Sequence, residues 1–158
     1  MRDTLVKIYG MDEPQQKELL PQLTLSELSV LKVLVEEILA MKQELHRARQ
    51  SVWIECGEGS DAGKRFAKKL ARRLFPDKTQ KKIDELVAKR DELEALYREK
   101  GYPDLEKLVW MRKKGIVEDE KYDCDKEAYI YFIHTLELGR LSRGIDMAIA
   151  QREIIEGQ

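Results

Sequence analysis

Apolar residues recur along most of the chain at three- and four-residue spacing, the period of a helix with one buried face. The clearest run is Leu28, Leu31, Val35, Leu39 and Leu45, widened by Val30, Leu34, Ile38 and Met41. It opens with Thr24-Leu25-Ser26-Glu27. There a threonine caps the first turn and a glutamate three residues on reaches back to the threonine N–H. The stripe predicts a long helix over about 25–54. Ser51–Cys56 is read as its last turns, because no other segment offers a partner strand.

Shorter elements surround it. Asp3–Gly10 predicts a short helix closed by Gly10. In 12–23, Pro14 suits a first turn and Pro21 ends the segment. Past the turn at 57–61, Ser60 or Asp61 caps a helix from about Ala62 to Phe75, stopped by Pro76. Asp77 or Thr79 then caps a helix that reaches Lys100 and ends at Gly101, a left-handed cap position. Its apolar residues, from Ile83 and Leu86 to Leu96 and Tyr97, form a narrow stripe broken by Arg90, as in a helical arm or coiled coil. A short helix lies between Pro103 and Gly115, followed by an acidic loop at 116–125. Asp123 or Asp125 caps a last helix over 126–156. Gly139 and Gly144 fall inside that helix, each about 1 kcal/mol less favourable than alanine, and point to close helix packing or a bend. The expected fold is all-α with five to six helices in one domain, 1–158. Two long helices form the body, and 62–114 forms a basic helix and charged arm.

Composition agrees. Of 158 residues, 37% are charged and 42% hydrophobic, which suits helices with long solvated faces. The net charge of −1 hides a segregation. Residues 1–62 carry seven basic and eleven acidic side chains, 63–82 carry nine and one, and 83–158 carry thirteen and eighteen. One strongly basic segment therefore lies in an otherwise acidic chain. Two cysteines make no disulfide framework, and the longest apolar runs fall far short of a membrane span. These features lead to the expectation of a cytoplasmic protein with no membrane partner.

The basic segment holds the best candidate site. At about 100° per residue, Lys64, Arg65, Lys68, Lys69, Arg72 and Arg73 fall on one half of a helix. Phe66, Ala67, Leu70, Ala71 and Leu74 fall on the other, a small face suited to a protein core. Lys78, Lys81 and Lys82 extend the basic face beyond Pro76. Like charges at i,i+4 repel by a few tenths of a kcal/mol, so roughly this much unneutralised charge implies an acidic partner. Two partners fit. Nucleic acid, DNA or RNA, gains from counterion release on phosphate contact. An acidic protein surface gains from charge pairing. The helix offers no Asn or Gln for reading base edges, so nucleic-acid binding would be weakly specific and salt-sensitive.

Other chemistry fits poorly. A phosphate-binding loop needs GxxxxGK before Ser or Thr. Here Gly57 is one residue too far from Gly63-Lys64, Gly59 is one too near, and Arg65 follows. His46 and Cys56 lie ten residues apart, as do Cys124 and His134, which spans about 15 Å along a helix and forbids a shared metal within either pair. A surface His46 and a partly buried His134 are the simpler reading. The acidic stretch Glu118–Glu127 lacks the glycine and the terminal glutamate of a calcium loop. Nothing sets a nucleophile beside a base. No cofactor, no metal and no catalysis are expected.

The sequence therefore predicts a non-enzymatic nucleic-acid-binding or nucleoprotein-assembly factor. The alternative is a protein–protein assembly or scaffold subunit whose basic helix docks on an acidic surface. Narrow stripes on long helices suggest a homo-oligomer or a subunit of a larger assembly. One observation separates the readings. Acids of 118–123 folded against the basic helix weaken the nucleic-acid reading, whereas an open face extended by Lys78, Lys81 and Lys82 strengthens it.

Overall fold

A computed structural model of the protein describes residues 1–112 and 123–157. Among the described residues there are seven α-helices and no strand. They are α1 (Arg2–Tyr9), α2 (Glu13–Leu19), α3 (Leu25–Glu55), α4 (Ala62–Leu74), α5 (Pro76–Glu99), α6 (Leu105–Arg112) and α7 (Cys124–Glu156), with a 3-10 turn at Leu20–Gln22. The all-α architecture and its two long helices are as expected. The count is seven rather than five to six, because 12–23 folds as a helix of its own. Asp12 accepts from the Gln15 N–H at 2.9 Å, the Gln15 side chain accepts from the Asp12 N–H at 3.1 Å, and Pro14 sits in the first turn.

Most expected caps are present. Thr24 and Glu27 exchange their two bonds at 3.1 Å each. Asp123 accepts from the Lys126 N–H at 3.0 Å and opens α7. Gly101 takes a positive φ of 68°. Gly10 closes α1 as expected, as a C-cap in helical geometry with φ at −75°. One local reading changes. Helix α5 begins at Pro76 without a side-chain cap, because proline at the first helical position has no N–H to satisfy. Thr79 instead donates its hydroxyl to the Ala71 carbonyl at 3.3 Å. The expected Gly115 terminus and acids 118–120 lie outside the described residues.

The chain forms two compact units. The first comprises the described residues 1–40, 102–112 and 132–157. Its core is hydrocarbon: Leu5 and Ile8 of α1, Leu28, Leu31, Val35 and Ile38 of α3, Leu105 and Val109 of α6, and Leu138, Leu141 and Ile145 of α7 are fully buried. Burying one such side chain is worth about 1.5–3 kcal/mol. Here α3 and α7 pack together, with Lys32 paired to Asp146. A β-carbon on Gly144 would come within 3.2 Å of Leu20, which is the close packing its glycine suggested. His134 is fully buried, not partly, and its Nδ1 shares a 2.9 Å hydrogen bond with the Tyr9 hydroxyl.

The second unit comprises 41–101 and 123–131. Its apolar core is smaller, drawn from Leu45, Val52, Ile83, Tyr97 and Ile130, and the buried set also includes Lys42, Glu55, Lys126 and Glu127. Lys42 places its ammonium 4.1 Å from the Tyr97 ring centroid, a cation–π contact. Glu127 accepts from Gln50 Nε2 at 2.7 Å and from His46 Nδ1 at 2.8 Å. The His46 ring stacks on Tyr131 with centroids 3.8 Å apart. His46 is thus a half-buried member of a polar cluster and not a surface residue, because Glu127 needs its N–H. Charged groups are therefore part of this unit's interior, and the unit contains every residue of the candidate site.

Candidate interaction surface

The site is built on α4 and the start of α5. Asp61 accepts from the Lys64 backbone N–H at 3.0 Å and fixes where α4 begins. That bond places a carboxylate on the N–H a bound anion would use, and the dipole at this end favours the negative charge.

The helix is not oriented as its amphipathy suggests. Its basic side is turned toward the end of α3 and the loop that follows. The Arg65 guanidinium donates to the Gly59 carbonyl at 2.9 Å. Lys68 donates to Glu55 at 2.8 Å, and Lys82 of α5 approaches the same carboxylate at 3.4 Å. Lys69 lies over Gly57, where a β-carbon would come within 3.0 Å of its Cγ. Gly57 has a φ of 86°, a conformation that glycine adopts without penalty. Two features draw the basic side inward. The last carbonyls of α3 form the negative end of its dipole, and Glu55 adds a full charge there. Burial opposes ionisation of Glu55, but the hydrogen bond and charge of Lys68, followed by Lys82, outweigh it and hold its pKa below the usual carboxylate value.

The apolar side consequently faces outward. No residue of α4 is buried. Phe66 is 70% exposed, Leu70 42% and Leu74 61%, and Phe75 beyond the helix is 60% exposed. This overturns the reading of that face as core. Of the apolar half only Ala71 is half-buried, with its carbonyl accepting from the Thr79 hydroxyl, and the large side chains stay uncovered.

The nine basic residues singled out in the sequence therefore divide. Lys68 and Lys82 converge on Glu55. Arg65 is tied to Gly59, and with Lys69 it lines a hollow shared with Asp123 and Asp125. Among the described residues, Lys64, Lys69, Arg72, Arg73, Lys78 and Lys81 form no ion pair. Lys69, Arg72 and Arg73 share a shallow depression with Cys56, Phe66 and Leu70. Glu55 was missed in the sequence because it reads as the last acid of a long helix, thirteen residues before its partner.

The surface offers charge and apolar contact. Burial pushes both thiols up, Cys56 beside the depression and Cys124 beside the hollow, which keeps them protonated. Among the described residues no cluster of His, Cys, Asp and Glu is arranged to hold a metal, and no helix is long and apolar enough to cross a membrane. No protein-family model, curated protein or solved structure matches the chain.

Proposed function

We propose that the protein is a non-enzymatic assembly or scaffold subunit that binds another protein through α4. The observation that carries this reading is the outward apolar side of α4. Three large side chains on one helix face, with Phe75 beside them, stand in water while Lys68 and Lys82 share the single carboxylate of Glu55. Together they expose on the order of 400 Å² of apolar surface, a patch of the size that marks binding sites. A phosphate backbone leaves such a patch wet, whereas a protein partner covers it.

A second reading keeps nucleic acid as the partner. It is supported by Arg72, Arg73, Lys78 and Lys81, which are exposed and without an ion pair among the described residues. The two readings separate in one experiment. A photo-crosslinking amino acid is placed at position 66 and irradiated in cell extract, with and without nuclease. Protein adducts that survive nuclease are expected. Adducts that contain nucleic acid would replace the first reading with the second. A labelled-oligonucleotide titration across a salt series then measures how steeply any such binding falls.

A further inference from the structure

We infer that α4 docks one acidic amphipathic helix of a partner protein along Phe66, Leu70 and Leu74. This inference rests on the protein-binding reading above and specifies the occupant.

The i,i+4 rows of α4 have sharply different chemistry. Arg65, Lys69 and Arg73 form one row. Phe66, Leu70 and Leu74 form the next. Gly63, Ala67 and Ala71 form the third, and Lys64, Lys68 and Arg72 the fourth. A row of large apolar side chains beside a row of small ones is a ridge beside a groove, the relief into which a second helix packs. Neither row contains a buried residue, and apart from half-buried Ala71, whose carbonyl takes the Thr79 hydroxyl, both rows are exposed and open to an outside helix. Its length, about 12 Å from Phe66 to Leu74 at 1.5 Å per residue, spans a little over two turns of a partner. Apolar anchors at three- and four-residue spacing on that partner would interleave with it.

Charge selects among helices. Lys69, Arg72 and Arg73 share the depression beside Phe66 and Leu70. From Ala62 to Phe75 there are six cations and no acid. A second copy of this chain would bring the same six cations to the contact, so self-pairing through α4 is opposed. A partner whose apolar stripe is edged by Glu or Asp meets the basic row with opposite charge. Lipid is disfavoured for a different reason: the small row gives little apolar area to insert beside the stripe, and surface-lying helices carry a broad apolar face.

The test uses the full chain and a labelled, stapled helical peptide with a leucine stripe edged by glutamates. Its control has every glutamate replaced by lysine. Anisotropy should rise with the acidic peptide and not with the lysine one. The double variant F66S/L70S should weaken binding by about tenfold or more, as loss of central apolar anchors does. The double variant K69E/R73E should reverse the preference toward the lysine peptide, which mere loss of fold cannot do. All four side chains are exposed, and circular dichroism checks that each variant keeps its helix content.

Failure of the acidic peptide to bind, or equal binding of both peptides, overturns the inference. So does a wild-type dimer in light scattering that F66S dissociates, which would make a second copy the occupant. Binding to phosphatidylserine vesicles that F66S/L70S abolishes, without peptide binding, would make it a lipid surface. If position 66 still crosslinks to protein while the peptide fails, the assembly-subunit reading stands and only the helical occupant falls.

Discussion

Lys68 donates from Nζ to the Glu55 carboxylate at 2.8 Å, and this contact ties α4 to the end of α3. An amphipathic helix normally buries its apolar side, gaining about 25 cal/mol for each Å² removed from water. Here the basic side is seated against the end of α3, by Lys68 and Lys82 on Glu55, Arg65 on Gly59 and Lys69 over Gly57. Lys68 alone of the six basic side chains of α4 is half-buried, while Phe66, Leu70 and Leu74 remain exposed. A partner that covers Phe66, Leu70 and Leu74 recovers the burial that the isolated chain leaves unrealised.

If Glu55 is the anchor, E55Q should loosen α4 first. The carboxylate is 10% exposed and Lys68 29%, so the pair is partly screened, and its loss should cost about 1 kcal/mol. Amide hydrogen exchange should quicken across α4 and much less in α5. The pH dependence has a definite sign. Glu55 has a lowered pKa in the folded protein, so the unfolded chain binds more protons in the window between the two values. The contribution is complete above the unfolded carboxylate value of about 4.3 and is lost as pH falls through the folded value. Urea melts of wild type and E55Q should therefore diverge near neutrality and converge in acid. A constant gap at every pH would remove the ion pair as the cause.

Gly57 makes the seat possible. Its φ of 86° suits glycine, and an added β-carbon would come within 3.0 Å of Lys69 Cγ. The left-handed conformation costs an alanine about 1–2 kcal/mol. The lysine stem can yield, so the backbone term dominates. G57A should lower the free energy of unfolding by about that amount in denaturant melts. Unchanged stability would show that the loop has another conformation open to it and that the approach of α4 to α3 is not fixed there.

Local chemistry was legible in the sequence, and tertiary orientation was not. Thr24 with Glu27, Asp61 before Ala62, Asp123 before Cys124 and Gly101 after Lys100 all act within a few residues. A cap is a contact between neighbours, so the sequence displays both partners. The two faces of α4 were equally plain. Lys68 meets a carboxylate thirteen residues away, and His46 meets one eighty-one residues away. Pattern reading assumes that apolar burial wins. In the second unit, where the apolar core is small and several buried groups are polar, that assumption fails.

The His46–Glu127 contact is the clearest case of a polar group fixed by distant donors. Glu127 is 2% exposed and has Gln50 at 2.7 Å and His46 at 2.8 Å. H46L leaves a buried carboxylate short of one donor and should destabilise by about 2–3 kcal/mol. E127L alone takes an acceptor from His46 and from Gln50, which keeps its bond to the Cys124 carbonyl, and should cost a similar amount. The double variant should be less destabilised than the two single losses combined, because the His46–Glu127 contact is then lost once and not twice. Denaturant melts of the four proteins give the coupling directly. Strict additivity would mean that His46 acts through its stacking on Tyr131 and not through the carboxylate.

The first unit contains a smaller test of the same principle in a hydrocarbon setting. Tyr9 and His134 share a 2.9 Å hydrogen bond, and Tyr9 is 2% exposed and His134 fully buried. Their rings also meet edge to face, with centroids 5.6 Å apart. Y9F keeps the ring and removes only the hydroxyl, so packing is preserved and His134 Nδ1 loses this partner. The expected cost is about 1–2 kcal/mol, the penalty for a buried polar group deprived of a hydrogen bond. Y9L also removes the edge-to-face contact and should cost more. The double variant Y9F/H134L takes away both polar ends and should recover part of the Y9F loss, although leucine fills the imidazole site imperfectly. If Y9F is as stable as wild type while Y9L is not, the pair is held by ring packing alone.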